Sequence, residues 1–227
     1  MKITYYGHSC FGVHVAGKNL LFDPFIRPNE LARSIDVNSI PADYIFLSHG
    51  HEDHVADAVE IATRTKATVV SNYEIVVWMQ GKGVQNTHPV NLGGKWKFDF
   101  GTAKYINAIH SSVLPDGTYG GNPGGFIIET KEGNLYYSGD TALTMDMQLI
   151  PLTSAKLSVA LLPVGDNFTM GVDDAIIASD FIKCNRVIGM HYDTFGYIKI
   201  NHDEAVRKFK EKGKELILMK IGSDMEV

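Results

Sequence analysis

The sequence predicts an α+β chain in which two packed β-sheets carry helices on their outer faces, a four-layer αβ/βα sandwich. Three observations lead there. Short apolar runs separated by turn residues dominate the first third, the pattern of strands. The middle continues as runs punctuated by Gly93-Gly94, Gly101 and Glu132-Gly133-Asn134, which reads as an antiparallel meander. The last third alternates strand-like and helix-like segments. Strand-rich halves that each carry helices suggest two packed sheets with helices outside, because both faces of every sheet must be covered.

Taken in order, the first strands are expected at Ile3 to Tyr6, Phe11 to Val15, Leu20 to Phe22 and Tyr44 to Leu47. From His54 to Arg64 the pattern changes. Val55, Ala58, Val59 and Ala62 fall on one helical face, and the strand-like Ala67 to Val70 follows. The meander takes in Thr87 to Val90, Lys95 to Phe98, Ala103 to Ile109, Gly125 to Glu129 and Leu135 to Tyr137. A helix is then expected near Leu143 to Ile150, a strand at Leu157 to Leu162 and a helix at Val172 to Phe181. A strand at Arg186 to Met190, a helix at Asp203 to Lys212 and a strand at Leu216 to Leu218 complete the reading. No internal repeat is visible. The chain has 227 residues and no low-complexity or Pro/Ser-rich linker, so residues 1–227 are expected to form a single domain.

Apolar residues make up 44% of the chain and charged residues 21%, which supplies a core and excludes disorder. The net charge is −5 with scattered basic residues, and the pI is near 6.0. That argues against a nucleic-acid binder. The most basic stretch, Arg207 to Lys214, is interleaved with Glu211 and reads as a solvated helix face. Cys10 and Cys184 are too few and too far apart for a disulfide framework or a thiolate zinc site. They are read as small apolar fillers in a reduced, cytoplasmic compartment. The opening Met1 to Gly7 is too short and polar for a signal peptide, and no apolar run is long enough to span a bilayer.

The chemistry is concentrated in Ser48-His49-Gly50-His51-Glu52-Asp53-His54. Three imidazoles and the Asp53 carboxylate, with Glu52 beside it, fall within the six residues from His49, between a predicted strand and a predicted helix. Neutral imidazole and carboxylate suit zinc, iron or manganese, whereas a soft-metal site would call for thiolates. A strand-to-helix turn lets neighbouring side chains converge, which the alternating faces of a regular strand forbid.

This segment resembles the His-x-His-x-Asp-His signature of the metallo-β-lactamase superfamily. The resemblance implies three further ligands in order, and the chain supplies each where an apolar run breaks: His110, Asp140 after Tyr136-Tyr137-Ser138-Gly139, and His191 after Val187-Ile188-Gly189-Met190. It further implies that His49, His51 and His110 hold one metal and Asp53, His54 and His191 the other, with Asp140 bridging. The likeness runs from Gly7-His8-Ser9 and Phe22-Asp23-Pro24 to His191-Tyr192. It is strongest to a small prokaryotic branch of metal-dependent hydrolases related to the sugar-phosphate lactonases. β-Lactam-cleaving members commonly carry a Cys where Asp140 stands, so antibiotic hydrolysis is not expected.

The implied function is that of a binuclear hydrolase using a metal-bridging hydroxide to cleave a small ester, lactone or phosphodiester, with Asp140 and Asp53 as catalytic carboxylates. A metal can lower the pKa of bound water from about 15.7 to about 7, which at about 1.36 kcal/mol per unit is roughly 12 kcal/mol. No side-chain base matches that. Zinc is the first choice of metal, with manganese or iron as alternatives. A di-iron oxidoreductase on the same ligand cage is the competing reading, and metal identity separates the two, since redox turnover needs iron.

Around the centre, His8 is a candidate outer partner or substrate contact, because metal ligands need hydrogen bonds of their own. Asp23 could accept the distal N–H of a ligand histidine. Ser111 opens a segment to Gly125 with five glycines and two prolines, expected to be a flexible loop over the site. Asp166 and Asn167 follow a predicted strand end and are placed near the pocket; of Tyr192, Asp193 and Thr194, which come just after His191, at least one is expected to line it. His14, His88 and His202 are read as structural or exposed. The expected partner is a small-molecule substrate, with neither nucleic acid nor membrane; a homo-oligomer is compatible with the sequence.

Overall fold

Period-two alternation sets the register of the first strands in the computed structural model, which describes residues 1–227. In β1 (Lys2–Gly7) Ile3 and Tyr5 are buried and Lys2 exposed; in β2 (Cys10–Val15) Phe11, Val13 and Val15 are buried and His14 exposed. A slip of one residue would turn these faces over. The chain continues through β3 (Lys18–Phe22), β4 (Tyr44–Phe46), β5 (Thr68–Ser71) and β6 (Thr87–Pro89). Then come β7 (Lys95–Lys97), β8 (Thr102–Asn107), β9 (Gly124–Glu129), β10 (Asn134–Tyr137), β11 (Val159–Pro163), β12 (Arg186–Met190), β13 (Glu215–Ile217) and β14 (Asp224–Glu226).

These strands make two seven-stranded sheets, ordered β14-β1-β2-β3-β4-β5-β6 and β13-β12-β11-β10-β9-β8-β7. Each is antiparallel on one side and parallel on the other: β3 to β6 run parallel in the first, β10 to β13 in the second. The two halves therefore share one topology, a repeat invisible in the sequence because it is a repeat of pairing and not of residues.

Six helices accompany the sheets: α1 (Glu52–Val55), α2 (Ala58–Thr65), α3 (Tyr73–Gly81), α4 (Ile150–Thr153), α5 (Val172–Phe181) and α6 (His202–Glu211). Three apolar clusters define the layers. Between the sheets, Phe22 and Phe46 lie 5.0 Å apart by ring centroid, Phe46 and Phe126 5.0 Å, and Phe22 and Tyr137 4.8 Å. Such pairs each contribute about 0.5–1.5 kcal/mol beyond the area they bury. Outside the first sheet, Ile45 and Leu47 pack with Ile61, Ile75 and Met79; outside the second, Leu162 and Val187 pack with Ile176 and Phe209. The four-layer sandwich of the α+β class is thus the observed architecture.

Several elements depart from the sequence reading. The helix expected from His54 to Arg64 begins at Glu52 and breaks at Asp57, whose carboxylate accepts from the backbone N–H of Ile26 at 2.6 Å and Arg27 at 3.0 Å. The segment near Leu143 to Ile150 is a 3-10 turn, Met145–Leu149, followed by α4 with a proline in its first turn, where a missing N–H does no harm. Thr87 to Pro89 joins the first sheet parallel to β5 and not the meander. The helix α3 and the strand β14 were not anticipated. No helix is long and apolar enough to cross a membrane.

Candidate metal centre

The candidate donors leave the strand ends through unusual backbone. His8 follows β1, Asp23 follows β3 and His191 follows β12, and all three take positive φ, at 55°, 42° and 55°. A non-glycine residue there is strained by about 1–3 kcal/mol; at these ends the side chains meet the donor cluster, His8 at Asp53, Asp23 at His54 and His191 at Asp140. Gly139, just before Asp140, also takes positive φ, at 60°. A Cβ on Gly139 would meet the Ser48 Cβ at 2.6 Å and the Gly124 carbonyl oxygen at 2.7 Å, so only glycine fits.

Two donor groups result. His49, His51 and His110 bring their ring nitrogens within 4.8 Å of one another, and His8, Asp53, His54 and His191 form a second such group. Asp140 lies between them. Its Oδ2 is 2.9 Å from His191 Nε2, 3.2 Å from His54 Nε2, 3.7 Å from His110 Nε2 and 4.0 Å from His49 Nε2. All seven positions named from the motif converge.

Outer hydrogen bonds fix which nitrogen faces inward. Asp23, fully buried, accepts from His54 Nδ1 at 2.7 Å, the Ser48 backbone N–H at 2.8 Å and the Ser48 hydroxyl at 2.5 Å. Its Oδ2 also lies 2.7 Å from the Tyr137 hydroxyl. Because the Ser48 hydroxyl spends its proton on Asp23, it can only accept from His49 Nδ1, 2.9 Å away. One carboxylate thereby holds both His54 and His49 with Nε2 turned to the centre. His51 presents Nδ1, 3.0 Å from His49 Nε2, while its Nε2 meets the Ser111 hydroxyl at 3.3 Å. His8 bonds Asp53 Oδ2 through Nε2 at 3.1 Å and Thr194 Oγ1 through Nδ1 at 3.0 Å, an outer partner to Asp53.

The electrostatics suit a cation. Burial pushes His49, His51 and His110 below the ordinary imidazole value, keeping them neutral. Burial also lowers His8, helped by the neighbouring His191, to about 4. Burial alone would raise Asp140, but the His191 and His54 rings outweigh it and hold the carboxyl well below its usual range. Burial likewise opposes charge on His54, yet Asp140, Asp53 and Asp23 together hold it well above the ordinary value. Three carboxylates around one imidazole ring, Asp23 at Nδ1 and Asp140 and Asp53 at Nε2, call for positive charge.

Two atoms test the fit further. His54 Nε2 and Asp140 Oδ1 are buried without a hydrogen-bond partner, a cost of about 1–3 kcal/mol for each such group. Ligation removes both penalties, and a donor set of imidazoles and carboxylates with no thiolate is that of a zinc, iron or manganese site. The residues present fit divalent metal.

The centre opens into a cleft of about 1010 Å³ that includes Ser111, Thr194 and the aromatic rings of Phe25, Phe168, Phe195 and Tyr197. Asp166 and Asn167 line a neighbouring cleft of about 430 Å³ instead. Both take positive φ, 62° and 58°, in a tight turn that delivers Phe168 to the metal cleft in their place. Tyr192 is also displaced: it is buried in the outer core of the second sheet, and Thr194 and Phe195 occupy the wall. The segment after Ser111 is a pinned hairpin. Leu114 is buried in the first sheet's outer core, Asn72 Nδ2 donates to the Gly120 and Asn122 carbonyls at 2.8 and 3.2 Å, and Gly50 N–H donates to Ser112 Oγ at 3.0 Å. Thr194 is the member of the Tyr192-Asp193-Thr194 trio that lines the cleft; sequence reasoning missed Ser48 and Tyr137, of which only Ser48, adjoining the motif, carried a signal.

A family model described as a beta-lactamase superfamily domain matches residues 2–191. The chain belongs to the metallo-β-lactamase superfamily. A relative from Flavobacterium johnsoniae, named a UPF0173 metal-dependent hydrolase, is 58% identical over 227 residues and covers 100% of both chains. One of the same name from Christiangramia forsetii is 55% identical over 228 residues, again with 100% of both covered. The structure of Igni18, described as a novel metallo hydrolase from the hyperthermophilic archaeon Ignicoccus hospitalis, superposes with a TM-score of 0.88 at 33% identity, covering 100% of this chain and 98% of that one. As a member of the metallo-β-lactamase superfamily, this chain is a metal-dependent hydrolase.

Proposed function

We propose that the chain is a binuclear hydrolase of a small ester, lactone or phosphodiester, using two divalent ions, zinc by first choice and manganese or iron otherwise. The supporting observation is Asp140 Oδ2, which lies 2.9 Å from a ring nitrogen of one donor group and 3.7 Å from a ring nitrogen of the other. A single oxygen so placed is what a shared ligand requires. His49, His51 and His110 would hold one ion, Asp53, His54 and His191 the other, and Asp140 both. Two ions so held supply a water acidified toward neutral pH and a Lewis acid for the oxygen of the scissile group.

The protein's own contribution is position and proton handling. Asp23 and Ser48 lock the rings of His54 and His49, so the donors need no reorganisation during turnover. Of the two candidate ligand carboxylates, Asp53, a quarter exposed and hydrogen-bonded by His8, is the more accessible from the cleft; it can take a proton from the attacking water and return it to the leaving group. Asp140, buried, cannot play that part and serves geometry and charge.

Elemental analysis of reconstituted protein is expected to give two ions per chain. His110→Ala and His191→Ala should each retain about one ion, from different donor groups, because a four-coordinate site tolerates poorly the loss of a ligand. Parent protein with a single ion, or both variants losing the same ion, would remove the binuclear assignment.

A further inference from the structure

We infer that the substrate carries an uncharged arm, aryl or alkyl, as in a neutral ester, lactone or related acyl compound, and not a phosphorylated or otherwise anionic one. The inference rests on the hydrolase reading above and narrows it.

Charge is the first ground. Beyond its histidines, the side chains lining the metal cleft that carry charge at neutral pH are Glu52, Asp53 and Asp140; no Lys or Arg lines it. Recognition of a phosphate or carboxylate arm ordinarily uses an Arg fork or a Lys ammonium, and an anionic arm here would meet the exposed Glu52 instead. Lys199 and Lys208 line the neighbouring cleft in the company of Asp166, Asp173 and Glu204. Lys208 is already engaged, with Nζ 3.1 and 2.9 Å from the two carboxylate oxygens of Asp173.

The wall is the second ground. Phe25 and Phe195 lie 6.3 Å apart by ring centroid on one side of the cleft, and Phe168 and Tyr197 make an edge contact at 6.4 Å. Phe168 is 51% exposed and Tyr197 80% exposed. Two large rings held in water beside a catalytic centre form an apolar surface that lacks its partner. Phe168 is kept there by the consecutive left-handed residues Asp166 and Asn167, a strained turn of the kind that persists where it positions a functional group. An arm projecting from a scissile group at the metals would lie along these rings.

Calorimetry on the zinc-loaded protein tests this with three probes: acetohydroxamic acid, phenylacetohydroxamic acid and its para-sulfonated analogue. The phenyl probe is expected to bind at least about tenfold more tightly than acetohydroxamate, a difference of about 1.4 kcal/mol, and the sulfonate to erase that gain. In the Phe168→Ala/Tyr197→Ala double variant the phenyl advantage should fall below about threefold. Acetohydroxamate binding with no phenyl advantage, an advantage that survives the double variant, or tighter binding of the sulfonate would overturn the neutral-arm inference while leaving the metal centre standing. No binding of acetohydroxamate would instead overturn the metal reading, and the inference with it.

Discussion

Replacing Asp140 by asparagine is expected to lower kcat at least about a hundredfold, near 2.7 kcal/mol of transition-state free energy, with little change in KM. Asparagine keeps the shape and one acceptor oxygen but removes the charge. Oδ2 approaches ring nitrogens of both donor groups and Oδ1 is buried without any other partner. On the proposed shared-ligand role, losing the charge would loosen the spacing of the metal ions while the aromatic wall of the cleft is untouched, and the chemistry would suffer more than substrate capture. The assay belongs at saturating metal, so that weakened affinity does not imitate the effect. Turnover of a good ester, lactone or phosphodiester substrate at nearly the parent rate would show that Asp140 is not the shared ligand.

Asp23→Ala is expected to destabilise the metal-free fold by about 3–5 kcal/mol, the cost of removing one partner from a buried ionic pair. Asp23 and His54 are both fully buried, 2.7 Å apart, and the same carboxylate satisfies the Ser48 N–H and hydroxyl. Urea unfolding measures this directly. Asp23→Asn, which retains one acceptor oxygen, should stay folded and show metal affinity reduced about 10–100-fold in a chelator competition, as outer-shell losses do. Parent-like affinity in that variant would reduce Asp23 to a packing residue.

The site was more legible than the fold around it, for a physical reason. His49, His51, Asp53 and His54 declare themselves because candidate ligands on one turn are close in sequence and of the right chemical type. His110, Asp140 and His191 needed the family resemblance, since nothing local distinguishes a ligand at a strand end from an ordinary polar break. Asp166 and Asn167 show the limit: both follow a strand, yet their left-handed backbone sends the next residue, Phe168, into the cleft. The helix α3 was hidden by the consecutive apolar residues Ile75 to Met79, which show no 3.6-residue period, although Asn72 caps its first turn by accepting from Ile75 N–H at 3.0 Å. The strand β14 is three residues without pattern and exists only through its pairing with β1. Sheet membership was equally unreadable for Thr87 to Pro89, because parallel pairing with β5 is decided by the intervening helix and not by the strand's own residues.

The aromatic rim hangs on two short turns, the one presenting Phe168 and the one from Phe195 to Tyr197, while the histidine and aspartate donors are fastened just past strand ends and on the turn that opens α1. Inheritance can therefore act on the two separately. In a duplicated copy of the gene, substitutions confined to these turns would alter which molecules are retained, and the hydrolytic apparatus would pass unchanged to the descendant. A lineage could in this way acquire new substrates through a handful of codons, without an inactive intermediate.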